Sequence, residues 1–365
     1  MISKRDEYWM KRALKLAEKG RGFTSPNPVV GACLVKKNRL ISEGFHTSFG
    51  GPHAEVEVIR KAGKRAHGAT LYVTLEPCST YGKTSPCTEA TQEAKIARVV
   101  VAAIDPNPEH QGRGISILKK HGIRVATGVL KKEAEAQNES FSKWIKTGIP
   151  FVVLKMAQSL DGKIASRTGE SRWISGPQAR MWVHQLRASC DAVLVGKNTV
   201  LKDDPRLTVR NGKVAKEPWR IILDEKGSSP LRARIFRTGG PVILACSKQF
   251  FLSVSKKFHN SNVTILPLKS KNGKLDLRQL LKSLGSLGVT SLLVEGGGEV
   301  AGSFFELGLV DKICWIVAPK IIGGRDAKTS VEGSGVVSLA QAHLVRRSRL
   351  VPLGKDLLFE GYIHS

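Results

Sequence analysis

The sequence contains no apolar run that approaches the roughly 20 residues of a membrane-spanning helix, so we expect no transmembrane segment. The N-terminal stretch also lacks the basic start and apolar block of a signal peptide. Cysteine is scarce: there are six, and four lie singly in apolar runs, at Cys33, Cys190, Cys246 and Cys314. This usage argues against a disulfide framework and predicts a protein of the reducing cytoplasm.

Acidic residues are also few, since 31 Asp and Glu stand against 58 Lys and Arg and leave a net charge of +27. An excess of this size is a reason to consider nucleic acid as a partner. The basic residues are spread along the whole chain, however, and no basic tract is interleaved with base-stacking aromatic residues. A solvated basic surface with a phosphorylated substrate and cofactor explains the charge at least as well. We therefore disfavour nucleic acid as the primary substrate, and we leave homo-oligomerisation open.

A chain of 365 residues, of which 41% are hydrophobic, is too long for one ordinary core and suits two globular domains. The turn-rich segment 146–150 predicts the boundary, with one domain over residues 1–146 and a second over residues 147–365. Strands alternate with helices in both parts, which predicts an α/β fold class. The expected helices include residues 88–97 and one charged helix over residues 130–144.

Three soft ligands of the kind that zinc takes, His53, Cys78 and Cys87, follow one another in the first part of the chain. A catalytic zinc site has three protein ligands and one open position, where the metal lowers the pKa of a water to about 7. Glu55 would then be free to move protons instead of binding the metal. The order H-x-E followed by P-C, a spacer and C is typical of zinc deaminases that act on nucleobases.

The spacing of His53 and Glu55 constrains where a metal can lie. Residues two apart point to different faces of a helix. The side chains of His53 and Glu55 can therefore both approach one ion only if that ion lies beyond the first turn of the helix. A Gly-Gly-Pro sequence precedes His53, which predicts a helix over residues 53–61 with Gly63 as its stop signal. Cys78 follows a predicted strand, and Cys87 opens a predicted helix whose dipole favours its thiolate.

A structural zinc site is the alternative interpretation of this cluster, and it requires a fourth protein ligand. His46 and His67 are the candidates for that position. Glu55 would have no role in such a site, so we favour the catalytic interpretation.

A glycine-rich loop between a predicted strand and a predicted helix is the second candidate site. Gly296, Gly298 and Ala301 satisfy a loose G-x-G-x-x-A pattern, in which backbone N–H groups at the helix start bind phosphate. The acidic residue expected after the following strand is absent, and Lys320 and Arg325 lie there instead, which favours NADP over NAD. A tight turn without a ligand remains equally compatible with the local sequence. No Walker lysine follows the glycines, which disfavours a nucleoside triphosphatase.

Two other functions compete with a two-site enzyme. One is a zinc base deaminase that acts on RNA or DNA, which the zinc pattern and the positive charge suggest. The glycine loop argues against it, because such an enzyme does not need an NADP site. The other is a non-catalytic zinc-stabilised protein, against which Glu55 argues.

Along nearly its whole length, the sequence resembles the bifunctional deaminase–reductase family of riboflavin biosynthesis. Eight residues separate Cys78 from Cys87, whereas RNA-acting deaminases typically carry two. The stretches that carry the resemblance are Pro26-Asn27-Pro28-Val29-Val30-Gly31, Pro52-His53-Ala54-Glu55, Glu76-Pro77-Cys78, Lys155-Met156-Ala157-Gln158-Ser159-Leu160-Asp161-Gly162-Lys163, Asp203-Asp204-Pro205-Arg206-Leu207-Thr208-Val209-Arg210 and Glu295-Gly296-Gly297.

The resemblance implies an N-terminal three-layer domain like cytidine deaminase and a C-terminal domain like dihydrofolate reductase. It implies Zn²⁺ and NADPH as cofactors and two consecutive reactions. The first is hydrolytic deamination of 2,5-diamino-6-ribosylamino-4(3H)-pyrimidinone 5′-phosphate. The second is reduction of the ribosyl group of the product to ribityl.

The resemblance also implies site residues. The expected cofactor contacts are Ala157, Trp173, Thr199, Asp203, Gly297, Gly298, Glu299, Val300, Ala301, Gly302 and Ser303. The expected substrate contacts in the reductase half are Ser171, Leu207, Arg210 and Glu295. Those in the deaminase half are Asn27, His46 and Lys83.

Overall fold

The computed structural model describes residues 2–82, 85–210, 217–259 and 261–364. The chain divides into two compact units, Met1–Ile149 and Pro150–Ser365, which we describe separately. Within the described ranges, every helix is too short or too polar to cross a membrane.

The first unit is built on a five-stranded mixed sheet with the order β2-β1-β3-β4-β5. Strand β1 runs antiparallel to β2 and β3, while β3, β4 and β5 are parallel. In chain order the elements are α1 (Lys4–Ala17), β1 (Gly31–Lys36), β2 (Arg39–Phe45), α2 (Ala54–Ala62), β3 (Thr70–Leu75), α3 (Cys87–Glu93), β4 (Arg98–Ala103), α4 (Arg113–Lys120), β5 (Arg124–Thr127), α5 (Lys131–Gln137) and α6 (Glu139–Thr147).

Helices cover both faces of this sheet and make three layers. Along β1, Cys33 packs with α1 and α5 on one face, while the neighbouring Leu34 packs with α2 and α4 on the other. This is the alternation expected of a strand buried on both sides. Gly31 is required at the start of β1, because a Cβ there would lie 2.0 Å from the carbonyl oxygen of Ala13 in α1.

The single helix expected over residues 130–144 is wrong, since the chain forms α5 and α6 with a break at Asn138. The buried Asn138 has φ −112° and ψ 23°, and its amide pairs with both backbone groups of Val29, at 2.9 and 3.0 Å. These two hydrogen bonds satisfy the Val29 backbone and tie the break to the segment that leads into β1. The helix expected over 88–97 begins one residue earlier, at Cys87, and ends at Glu93.

The second unit contains a nine-stranded sheet with the order β10-β9-β8-β7-β13-β6-β14-β16-β15 and a small hairpin, β11-β12. The elements are β6 (Phe151–Ser159), α7 (Pro177–Ser189), β7 (Ala192–Gly196), α8 (Lys197–Asp203), β8 (Trp219–Leu223), α9 (Arg234–Arg237), β9 (Val242–Ser247), α10 (Phe251–Lys257), β10 (Val263–Leu268), β11 (Ser270–Lys271), β12 (Lys274–Leu275), α11 (Leu277–Ser286), β13 (Ser291–Val294), α12 (Gly298–Glu306), β14 (Lys312–Ala318), β15 (Arg346–Leu353) and β16 (Asp356–Tyr362).

Seven strands of this sheet are parallel, namely β10, β9, β8, β7, β13, β6 and β14. Strands β16 and β15 add antiparallel neighbours at one edge. The central strands β7 and β13 are buried along their whole length, as expected of parallel strands covered on both faces. The carboxyl ends of the parallel strands therefore share one edge of the sheet. The predicted α/β fold class is confirmed for both units.

An ion pair between the buried Asp6 and the partly buried Arg98 anchors α1 to the sheet of the first unit. The carboxylate of Asp6 accepts hydrogen bonds from the Arg98 guanidinium at 2.7 and 3.0 Å and from the Tyr72 hydroxyl at 3.0 Å. Although burial opposes it, the bond from Arg98 lowers the pKa of Asp6.

We expect Asp6→Asn to reduce the free energy of unfolding of the first unit by about 2 kcal/mol at pH 7, because it weakens charge-assisted hydrogen bonds. A carboxyl with a lowered pKa stabilises the fold above its unfolded pKa of about 4. The difference from the wild type should therefore shrink as the pH falls below that value. Urea denaturation at several pH values measures it. Glu7→Gln removes an exposed charge next to Asp6 and is the control; equal losses in both variants would contradict the assignment.

Candidate functional site

The structure brings His53, Cys78 and Cys87 together at the ends of three elements. His53 is the N-cap residue of α2, Cys78 follows β3, and Cys87 is the first residue of α3. Their ligand atoms all lie within 4.8 Å of one another. The His53 Nδ1 atom lies 3.2 Å from the Cys87 Sγ and 3.5 Å from the Cys78 Sγ.

These separations fit a shared zinc ion. Tetrahedral bonds of about 2.1 Å to nitrogen and about 2.3 Å to sulfur place the two donors about 3.5 Å apart. No other His, Cys, Asp or Glu of the described residues joins the group. The donor set is therefore the three-ligand type that leaves a position for water.

Neither candidate for a fourth ligand takes part. His46 uses both ring nitrogens elsewhere, with Nε2 at 3.2 Å from the Asn27 Nδ2 and Nδ1 at 3.0 Å from the Pro52 carbonyl oxygen. His67 is exposed and lies outside the ligand group. The described residues thus give no support to the structural-zinc interpretation.

The two thiols hold their protons differently. The hydrogen bond with Cys87 is the main reason that the pKa of Cys78 falls to about 4, with His53 adding to the effect. The same bond and burial raise the pKa of Cys87.

Glu55 lies in the first turn of α2, is 3% exposed and does not belong to the ligand group. Burial raises the pKa of its carboxyl to about 7. A carboxyl in this range can both accept and donate a proton near neutral pH.

Two of the three substrate contacts expected in this half lie beside the cluster. The Asn27 amide donates to the buried ring of His46, which makes an edge contact with the His53 ring at 5.2 Å between centroids. Burial lowers the pKa of His46, so its ring stays neutral and able to accept this bond. Lys83, the third expected contact, lies outside the described residues.

Sequence reasoning assigned no role to Glu76, and the structure gives it one. Its buried carboxylate accepts three backbone N–H groups, from Asp105 at 3.1 Å, Gly112 at 2.9 Å and Ile115 at 3.1 Å. It therefore ties the end of β3, two residues before Cys78, to α4 and the loop that precedes it. Its place in the same short motif as a ligand cysteine was the available signal.

A long cleft of about 1720 Å³ crosses the carboxyl edge of the parallel strands in the second unit. Most of the expected cofactor and substrate residues line it. They are Ala157, Ser171, Trp173, Thr199, Asp203, Leu207, Arg210, Glu295, Gly297, Gly298, Glu299, Val300 and Ser303. Ala301 and Gly302 do not line the cleft and are buried in α12.

The glycines of the loop have two different roles. A Cβ on Gly298 would lie 2.4 Å from the Thr329 carbonyl oxygen, and one on Gly302 would lie 1.8 Å from that of Glu332. These glycines therefore allow close packing. A Cβ on Gly297, the N-cap of α12, would meet nothing within 4 Å. The helix start thus has open space beside it in the cleft, and its first backbone N–H groups, which have no partner within the helix, fit a phosphate group.

A largely shielded cluster of charges lies at the strand end before this loop. Arg187 of α7 donates to both Glu295 oxygens, at 2.5 and 2.9 Å, and the Lys155 Nζ lies 3.7 Å away. Although burial opposes it, Arg187 and Lys155 lower the pKa of Glu295 to about 2. Two cationic partners thus favour the carboxylate form of Glu295, which suits it to accept hydrogen bonds.

Sequence reasoning missed Arg187, Lys155 and His184 as members of this site. His184 is also buried, and its Nε2 lies 3.4 Å from Nη2 of Arg210. No local pattern distinguishes these residues from other side chains of a strand or helix. Their closeness to Glu295 comes only from the sheet order.

The remaining expected residues gather around α8. This helix was not predicted, and it carries Thr199 and Asp203. The Ser171 hydroxyl donates to Asp203 at 2.9 Å. Trp173 is 61% exposed, and the guanidinium of Arg180 lies 4.4 Å from its ring centre, so it lines the cleft and does not pack in the core.

Two family models match the chain, one for each unit. Residues 3–103 match the cytidine and deoxycytidylate deaminase zinc-binding region. Residues 150–358 match the RibD C-terminal domain. The chain thus combines a zinc-dependent deaminase domain with a reductase domain.

Full-length relatives have the same combination. The riboflavin biosynthesis protein RibD of Aquifex aeolicus is 44% identical over 98% of both chains. That of Escherichia coli is 40% identical over 96% of this chain and 98% of its own. The structure of Acinetobacter baumannii RibD superposes with a TM-score of 0.90 at 38% identity, covering 98% of this chain and 99% of that one.

A Thermotoga maritima structure superposes with a TM-score of 0.85 at 37% identity over 98% of each chain. That protein is a diaminohydroxyphosphoribosylaminopyrimidine deaminase and 5-amino-6-(5-phosphoribosylamino)uracil reductase. The chain belongs to the RibD family of riboflavin biosynthesis enzymes. These relationships do not favour the alternative of an RNA or DNA deaminase.

We expect Cys78→Ser to remove most of the zinc that copurifies with the protein, because a hydroxyl is a much poorer zinc ligand than a thiolate. Metal analysis of the purified full-length chain measures the zinc content. Cys33→Ala changes another buried thiol of the same unit and should keep about one zinc per chain. Full zinc content in Cys78→Ser would contradict the ligand assignment.

Proposed function

We propose that this chain catalyses two consecutive steps of riboflavin biosynthesis. The first unit deaminates 2,5-diamino-6-ribosylamino-4(3H)-pyrimidinone 5′-phosphate to 5-amino-6-ribosylaminouracil 5′-phosphate. The second reduces the ribosyl group of that product to ribityl with NADPH. The observation that carries the proposal is the buried Glu55 beside the His53, Cys78 and Cys87 group. The activities of the T. maritima protein support it.

In the deamination step, zinc held by His53, Cys78 and Cys87 would lower the pKa of a water and so supply hydroxide at neutral pH. Glu55 takes the proton of that water and delivers it to the amine at C2 of the pyrimidine. A C–O bond forms, the C–N bond breaks, and ammonia leaves. Burial of Glu55 suits both transfers because its pKa, about 7, is close to neutral.

Asn27 and His46 bind the pyrimidine or its phosphate in this proposal, and Lys83 is a further proposed contact. The His46 ring is held by the Pro52 carbonyl, and it accepts a hydrogen bond from the Asn27 amide. This arrangement leaves the second N–H and the oxygen of that amide available to a substrate.

In the reduction step, NADPH, when bound, would supply a hydride to the ribosyl carbon, and the oxygen released from that carbon would take a proton from solvent. The open N–H groups at Gly297 and Gly298 would bind the cofactor pyrophosphate. Arg210 and Ser171 would bind the substrate phosphate, for which a planar guanidinium is well suited. Glu295, held as an anion by Arg187 and Lys155, would accept hydrogen bonds from the ribose hydroxyls.

The remaining proposed cofactor contacts lie along the same cleft, and Leu207 is the remaining proposed substrate contact. These cofactor residues are Ala157, Trp173, Thr199, Asp203, Glu299, Val300 and Ser303. Ala301 and Gly302 act only through the packing of α12.

We also propose that the deaminase and reductase domains comprise residues 1–146 and 147–365, near the division between the compact units at Ile149. The few, scattered cysteines, of which two belong to the zinc ligand group, support the proposal that the protein works in the reducing cytoplasm. The proposal leaves open whether the chain forms a homo-oligomer.

The first test replaces the proposed proton carrier. We expect Glu55→Ala to lower the rate of ammonia release from the diaminopyrimidine by about a hundredfold or more, since general acid–base catalysis contributes that much. The variant should keep its zinc, because Glu55 is not a ligand. It should also oxidise NADPH at the wild-type rate when it is given the deaminated intermediate directly.

The reciprocal variant is Glu295→Gln, which keeps the shape of the side chain and removes its charge. It should release ammonia at the wild-type rate and lose NADPH oxidation. Loss of both activities in either variant would contradict the assignment of the two reactions to separate sites.

A further inference from the structure

The cleft of the second unit extends well beyond the residues proposed to bind the pyrophosphate and the substrate. Its far end is lined by Glu225 and Lys226, which follow β8, and by Lys269, Lys271 and Lys274 in and beside the β11-β12 hairpin. The resemblance to the deaminase–reductase family assigned none of these residues. A lysine-rich segment thus lines a part of the cleft in which the proposed function has assigned no contact.

The hairpin is fixed over the ends of β8 and β9. The Ser270 hydroxyl lies 2.9 Å from that of Ser247, the last residue of β9. At the hairpin turn, Gly273 has φ +74°, and a Cβ there would lie 3.9 Å from Oε2 of Glu225. The lysines of the hairpin and the carboxylate of Glu225 therefore face the same part of the cleft.

The sheet order gives the distance of this end from the glycine loop. Strand β8 lies two places from β13, and β9 lies three places away. At about 4.8 Å per strand these are offsets of about 10 and 14 Å. For a dinucleotide whose pyrophosphate lies at Gly297 and whose nicotinamide end lies toward β6, the adenosine half would therefore lie near the ends of β8 and β9, within reach of the hairpin.

The charges at this end are unevenly balanced. Lys226, Lys269 and Lys271 are exposed and form no ion pair with any residue in the described part of the chain. Lys274 pairs with Glu306 at 3.4 Å. Glu225 is the opposing charge, and a carboxylate in such a position accepts a hydrogen bond from a ribose 2′-hydroxyl but repels a 2′-phosphate.

We propose that Lys269 and Lys271, with Lys226, bind the 2′-phosphate of NADPH, and that Glu225 opposes it. The hairpin lysines then favour NADPH over NADH, whereas Glu225, which follows β8, favours NADH. This inference rests on the proposed NADPH-dependent reduction and assigns the residues that select the cofactor.

Binding of reduced cofactor tests the inference without turnover. The full-length protein is titrated with NADPH and with NADH, in the absence of pyrimidine, by following nicotinamide fluorescence. Lys269→Gln combined with Lys271→Gln should raise the Kd for NADPH about tenfold or more, because two charge-assisted contacts are lost. The Kd for NADH should change by less than about twofold, because NADH has no group for these lysines.

Two further variants make the result specific. Lys256→Gln combined with Lys282→Gln removes the same charge from lysines that do not line the cleft, and it should leave both Kd values unchanged. Glu225→Gln should act in the opposite direction and lower the Kd for NADPH severalfold, a gain that misfolding cannot produce.

The outcomes separate this inference from the proposed function. Equal weakening of NADPH and NADH, or no weakening of either, would overturn the role of the hairpin while the cofactor site stands. A wild-type protein that binds neither nucleotide would overturn the proposed reduction and the inference together.

Discussion

Convergence of one imidazole and two thiols is the constraint on which the deaminase unit depends. The three ligands lie at the ends of α2, β3 and α3, so no single element carries the site. The surroundings hold these ends in place. The carboxylate of Glu76, two residues before Cys78, accepts backbone N–H groups of α4 and the loop before it, and the N–H of Cys87 donates to the Cys78 sulfur at 3.2 Å. A metal that joins these ends would add directly to the stability of the unit.

Two buried carboxylates show how surroundings set function in this chain. Among the described residues, no Lys or Arg pairs with Glu55, and burial raises the pKa of its carboxyl to about 7. Glu295 is also largely shielded, with its side chain 8% exposed, but Arg187 and Lys155 lower its pKa to about 2. The same chemical group is thus a proton carrier in one unit and a fixed anion in the other.

Local sequence was sufficient for the ligand set and for most elements. The starts of α2 and α3 could be predicted from the Gly-Gly-Pro and Pro86-Cys87 sequences, because helix ends have local signals. Contacts between residues far apart in the chain could not be predicted from local sequence. The break at Asn138 depends on Val29, and the Arg187–Glu295 pair depends on the order of the strands. The glycine loop was ambiguous because Gly297 and Gly298 serve different purposes that only the packing around them separates.

X-ray absorption at the zinc edge of the zinc-loaded full-length protein tests the central claim most directly. Three chain ligands and one open position predict two sulfur scatterers at about 2.3 Å and two nitrogen or oxygen scatterers at about 2.0 Å, of which only one is an imidazole. A second imidazole, or a shell without sulfur, would show that another residue fills the open position or that the cysteines do not bind the metal. Either result would contradict the account.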